Sequence, residues 1–104
     1  MQIEEIRRLM LDKRYEISLH AERERRYEEI EIDDIKHAIE FGEVLENYSD
    51  DLRGQSCLVL GYDKDERPIH IVCGMLSTGV VRIITVYIPS SPKWIGTRTR
   101  RKRR

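Results

Sequence analysis

Cysteine is scarce in this chain: two in 104 residues, Cys57 and Cys73. They have neither Cys-x-x-Cys spacing nor a nearby histidine pair, which argues against a zinc site. Both fall inside expected strands, where they read as buried reduced thiols. A disulfide between adjacent strands is the alternative, and it needs an oxidising compartment. No stretch approaches the ~20 apolar residues that span a bilayer. Met1 to Arg8 mixes acidic and basic residues and lacks the apolar run of a signal peptide, so the cytoplasm is the expected compartment. No motif calls for a metal or a cofactor.

Acid is missing from one end. Residues 93–104 hold Lys93, Arg98, Arg100, Arg101, Lys102, Arg103 and Arg104, and not one Asp or Glu. Residues 1–92 hold 12 Lys and Arg against 19 Asp and Glu, a net −7 that the +7 tail cancels. Such a tail either neutralises its own body or serves as an arm for an anionic partner. We expect it to be disordered, with Lys93, Arg98, Arg100 and Arg101 as candidate RNA contacts.

What is present is enough for one modest core: 39% hydrophobic residues beside 37% charged ones. Ile3, Ile6 and Met10 recur at helical spacing and predict an amphipathic helix over residues 2–12. Tyr15 to Ser18 reads as a small edge strand or an extended lead-in. Ser18 then caps a second helix from Leu19 to about Glu29, with Glu22 in its first turn. Ile32, Ile35, Ala38 and Ile39 mark a third helix, with Asp33 and Asp34 at its positive end and Gly42 as its stop. Strands follow at Val44–Tyr48, Ser56–Tyr62, Ile69–Leu76 and Val80–Ile88. The turns between them are polar, and Pro68 and Pro89 stand at strand ends. The expected fold is α+β: N-terminal helices on one face of a four-stranded antiparallel meander.

Three side chains are out of place in that pattern. His70 interrupts the apolar run Ile69 to Cys73, and Thr85 and Tyr87 sit in the last strand. Alternation puts His70 and Val72 on one face. It groups Ile83, Thr85 and Tyr87 and turns Arg82, Ile84 and Val86 away, unless a bulge intervenes. If the two strands pair, one face presents His70, Thr85 and Tyr87 together. Histidine serves as base or acid near neutrality, tyrosine hydrogen-bonds phosphate or relays a proton, and arginine clamps phosphate through two donors. That set suits cleavage of RNA through its own 2′-hydroxyl. The same residues also read as a satisfied core histidine among ordinary strand residues. His20, beside Arg23, Arg25 and Arg26, opens the second helix, whose charges equally form an ion-paired surface. His37 lies on a helix surface and receives no role.

Several blocks, in order, resemble the domain-of-unknown-function family 4258 over about residues 15–94. They are Ser18-Leu19-His20-Ala21-Glu22-Arg23, Ile35 to Tyr48, Ser56 to Gly61, Arg67 to Val72, Ile84 to Pro89, and Pro92-Lys93-Trp94. That family resembles the RelE and barnase-like toxin ribonucleases. The resemblance implies helices against an antiparallel sheet and the toxin of a toxin–antitoxin pair, cleaving RNA without a metal. The RNA is free or ribosome-bound messenger, and the partner a small antitoxin, often of zinc-ribbon type. Carried onto this chain, the residues concerned are His20, His70, Thr85 and Tyr87, with Arg23 and Arg82 as phosphate contacts. The family helix commonly has arginine four residues after the motif histidine; here that position is Glu24. The rival function is a non-catalytic RNA- or protein-binding module of the same fold, or an antitoxin-like or ribosome-associated RNA binder working through the tail.

Overall fold

A computed structural model describes residues 1–50, 52, 54–90 and 94–100, with only the backbone of Ile95. Three helices come first: α1 (Ile3–Leu11), α2 (Leu19–Tyr27) and α3 (Ile32–Phe41), with β1 (Tyr15–Ile17) between α1 and α2. Then follow β2 (Glu43–Tyr48), β3 (Ser56–Tyr62), β4 (Pro68–Met75) and β5 (Val81–Tyr87). A short hairpin, β6 (Trp94–Ile95) and β7 (Thr99–Arg100), ends the described chain.

Each helix starts or stops for a local reason. Ser18 Oγ accepts the Ala21 N–H at 3.0 Å and donates to the Ile84 carbonyl at 2.9 Å. One hydroxyl therefore caps α2 and ties it to β5. Asp34 accepts the Glu31 N–H at 2.9 Å at the start of α3. Gly42 ends α3 at φ −94°, so its lack of a side chain is needed for closeness and not for handedness. A Cβ there would lie 2.3 Å from the Ala38 carbonyl, and one on Gly61 would lie 2.2 Å from the same oxygen. The two glycines let α3 approach β3 backbone to backbone.

The core lies between the helices and one sheet face. Ile6, Ala21, Ile35, Ala38 and Ile39 meet Val59, Ile69, Ile71, Cys73, Ile83 and Val86, all essentially fully buried. Cys57 and Cys73 face each other across β3 and β4 as buried free thiols, with burial raising the Cys57 pKa to about 11. Among the described residues, no helix is long and apolar enough to cross a membrane.

Two expectations need correction. The sheet is five-stranded and mixed, in the order β1-β5-β4-β3-β2: the antiparallel meander is present, and β1 adds a parallel edge beside β5. β4 satisfies only one side of β5, and Tyr15–Ile17 supplies partners on the other. Nor is the whole tail disordered, because Trp94–Arg100 forms a hairpin with Gly96 at φ +69° in its turn. Trp94 is buried and its neighbours pair with β2, which is what holds a segment so rich in arginine in place. Lys93 and Arg101 lie outside the described residues.

Candidate functional site

The helix-free face of the sheet carries the polar residues in rows set by strand register. Leu60, His70 and Tyr87 stand across from one another on β3, β4 and β5; Leu58, Val72 and Thr85 form the next row, and Ser56, Gly74 and Arg82 the third. The register slips between Val72 and Cys73, so Ile84 is an extra residue on β5. That bulge keeps Ile83 and Val86 in the core and leaves Arg82, Ile84, Thr85 and Tyr87 on the open face. Plain alternation would have turned Arg82 away and placed Ile83 beside Thr85.

At one end of this face His70 is fully buried. Its Nε2 lies 2.7 Å from the Thr97 carbonyl oxygen and its Nδ1 lies 3.1 Å from Tyr87 Oη. A carbonyl only accepts, so Nε2 carries the proton, and Nδ1 of the neutral ring accepts from the tyrosine hydroxyl. Burial pulls the His70 pKa down, against the Thr97 carbonyl and the Glu46 charge. Burial also raises the pKa of Tyr87.

Trp94 closes this end. Its ring stands edge-on to His70, centroids 4.4 Å apart, and the Arg100 guanidinium lies 4.6 Å from its centroid. Among the described residues, Trp94 Nε1 is the one buried side-chain polar atom without a well-formed hydrogen bond. Arg98 pairs with Glu43, and Arg100 donates to Glu46 at 2.9 Å. Arg100 holds the Glu46 carboxyl below the usual carboxylate range, while burial and the adjacent Glu46 push the Tyr48 hydroxyl to about 12.

At the other end a cleft of ≈ 390 Å³ is lined by Ser18, His20, Gln55, Met75, Arg82 and Ile84. The His20 side chain is 67% exposed, and its Nε2 lies 3.1 Å from Glu24 Oε1. The same Glu24 oxygen accepts the Val86 N–H at 3.1 Å. Glu24 thus covers part of the free edge of β5 and holds the imidazole of His20. Arg82 is positioned by Glu16, its register partner on β1, through Nε at 2.6 Å. Arg23 is exposed on α2 and does not line this cleft.

The sequence-derived residues therefore form two groups on one face: His70 with Tyr87, and His20 with Arg82. Thr85 lies between them, half-buried. His70 and Gly74, which faces Arg82, are four residues apart on β4, a separation of roughly 13 Å along a strand. That is the spacing between the His70 row and the Arg82 row. Three participants were not singled out from the sequence: Glu24 as a partner of His20, Trp94, and the Thr97 carbonyl. The spacing of His20 and Glu24 was a usable signal, since residues four apart meet on a helix; nothing local marks the other two.

Comparison with curated proteins and with solved structures gave no match. The sequence model of one family matches residues 17–88, which takes in all three helix-free rows and the His20 cleft. The chain belongs to the family described as Domain of unknown function (DUF4258).

Proposed function

We propose that this chain is a metal-independent endoribonuclease, the RelE/barnase-like toxin of a cytoplasmic toxin–antitoxin pair. The observation that carries the reading is that an accessible histidine and an arginine line one cleft, and that each is held by its own carboxylate: His20 by Glu24, Arg82 by Glu16. His20 takes the proton from a 2′-hydroxyl, and the freed oxygen attacks phosphorus. Arg82 stabilises the charge that builds on the phosphoryl oxygens, and the 5′-oxygen leaves with a proton returned by the imidazolium. Glu24 orients the ring. The products are a 2′,3′-cyclic phosphate and a 5′-hydroxyl, so DNA is not a substrate. In this reading His70 and Tyr87 hold the hairpin, and the arginines of the tail capture RNA that the acidic body repels. A small antitoxin, of zinc-ribbon type in similar pairs, is the expected partner.

The test is a labelled RNA incubated with purified protein in excess EDTA, alone and with translating ribosomes. Cyclic-phosphate products in either format support the reading, and intact RNA in both rejects it.

A second reading, a non-catalytic binding module of the same fold, is favoured by the full burial of His70 with both ring nitrogens bonded. It predicts RNA or protein affinity without cleavage, and affinity that survives His20→Ala.

A further inference from the structure

The tail's charge and its position point the same way. Arg98 and Arg100 are about half exposed, as is Glu43, so their pairs with Glu43 and Glu46 lie at the surface, where salt and competing anions weaken them. Beneath them sits the only tryptophan of the chain, buried edge-on against His70 over the row Leu60, His70, Tyr87. The hairpin is thus a cover fastened by arginines, and RNA is a dense line of the anions that arginines bind best. The groups fastened outside are those a polyanion takes, and the group hidden inside is one on which bases stack.

We infer that the hairpin Trp94–Arg100 is a cover displaced by single-stranded RNA: phosphates take Arg98 and Arg100 from Glu43 and Glu46, and Trp94 leaves His70 to stack on a base. Lifting it breaks the bond from His70 Nε2 to the Thr97 carbonyl and uncovers His70 and Tyr87. The binding track then runs from the His20 cleft to the uncovered His70 and Tyr87. The inference rests on the RNA-binding part of the function proposed above, but not on catalysis.

Because Trp94 is the sole tryptophan, the native full-length chain reports on the cover. The experiment titrates it with a 2′-O-methyl oligonucleotide, which lacks the attacking hydroxyl and is not cleaved, and separately with heparin, a polyanion without bases. Binding is followed by anisotropy and the cover by tryptophan emission. Heparin is expected to shift the emission to the red, as the indole meets water, and the oligonucleotide to quench it by stacking. Glu43→Gln with Glu46→Gln is expected to lower the half-saturating oligonucleotide concentration roughly threefold to tenfold, the equivalent of two surface pairs.

Three results overturn the inference: no oligonucleotide binding, binding with unchanged Trp94 emission, or a heparin shift without quenching by the oligonucleotide. The enzyme reading fails separately. Loss of cleavage with the Trp94 response intact rejects only the ribonuclease, and cleavage with a silent Trp94 rejects only the cover.

Discussion

Glu24 serves His20 and Val86 with one oxygen, accepting from the imidazole and from the β5 backbone N–H at 3.1 Å each. The second contact fixes the first. A carboxylate on a helix surface is ordinarily free to swing, whereas this one is pinned to the sheet edge, so the position of the His20 ring is set by β5.

His70 is built into the structure as a neutral group, and its stability signature follows. Burial lowers its folded pKa beneath the ordinary value of about 6.5. The unfolded chain therefore binds the proton more readily, so stability is complete above about pH 6.5 and falls as the pH drops from there toward the folded value. Urea unfolding at pH 7 and pH 5.5 is expected to show this loss in the wild type and not in His70→Gln. His70→Ala, which leaves a void under Trp94 and removes two hydrogen bonds, is expected to cost about 3 kcal/mol.

Asp63 carries a slope of the same sign at lower pH. It is 2% exposed and accepts the Arg67 N–H at 2.7 Å, the Asp65 N–H at 2.9 Å and the Arg67 Nε at 2.7 Å. The other guanidinium nitrogens of Arg67 reach the carbonyls of Glu28 and Glu29, tying the β3–β4 turn to the end of α2. Burial raises the Asp63 pKa, but Arg67 and the two backbone donors outweigh it, and the net shift is downward. Stability from this carboxylate is present above the unfolded value of about 3.9 and is lost as the pH falls through the folded one. Arg67→Ala strands a buried charge and is expected to cost about 3 kcal/mol at pH 7, with a shallower acid limb in the unfolding curve.

Gly61→Ala tests the approach of α3 to the sheet. The added Cβ meets the Ala38 carbonyl oxygen at 2.2 Å and its Cα at 2.6 Å, and both are backbone atoms with no rotamer to yield. We expect a loss of at least about 3 kcal/mol in chemical denaturation. A loss below about 1 kcal/mol, little more than that of an ordinary surface change, contradicts this packing.

The periodic parts of this fold were legible and the tertiary ones were not. Ile35, Ala38 and Ile39 announce a helix face through spacing alone, and the four strands of the meander announce themselves through their apolar runs and polar turns. The parallel pairing of Tyr15–Ile17 with β5 has no local signal, because three residues of extended chain look the same whatever they pair with. The bulge at Ile84 decides which residues share a face with Arg82, and it arises from register with β4. In the site, the residue types were readable and their grouping was not: His70 and Tyr87 meet across strands as expected, while His20 belongs with Arg82. The hairpin was the least legible. Its sequence is a basic tail, and its order comes from Glu43, Glu46 and His70, 27 to 55 positions upstream.

The most direct measurement compares the rate of RNA cleavage in EDTA for the wild type, His20→Ala, Glu24→Gln and His70→Gln, each checked for folding by circular dichroism. The account predicts that His20→Ala loses about 10²- to 10⁴-fold. Glu24→Gln, which keeps an oxygen for Val86 and gives up the charge beside His20, loses less, and His70→Gln retains activity in proportion to its folded fraction. Cleavage that survives His20→Ala and vanishes in a folded His70→Gln would contradict it, and would move the chemistry to the covered end of the sheet.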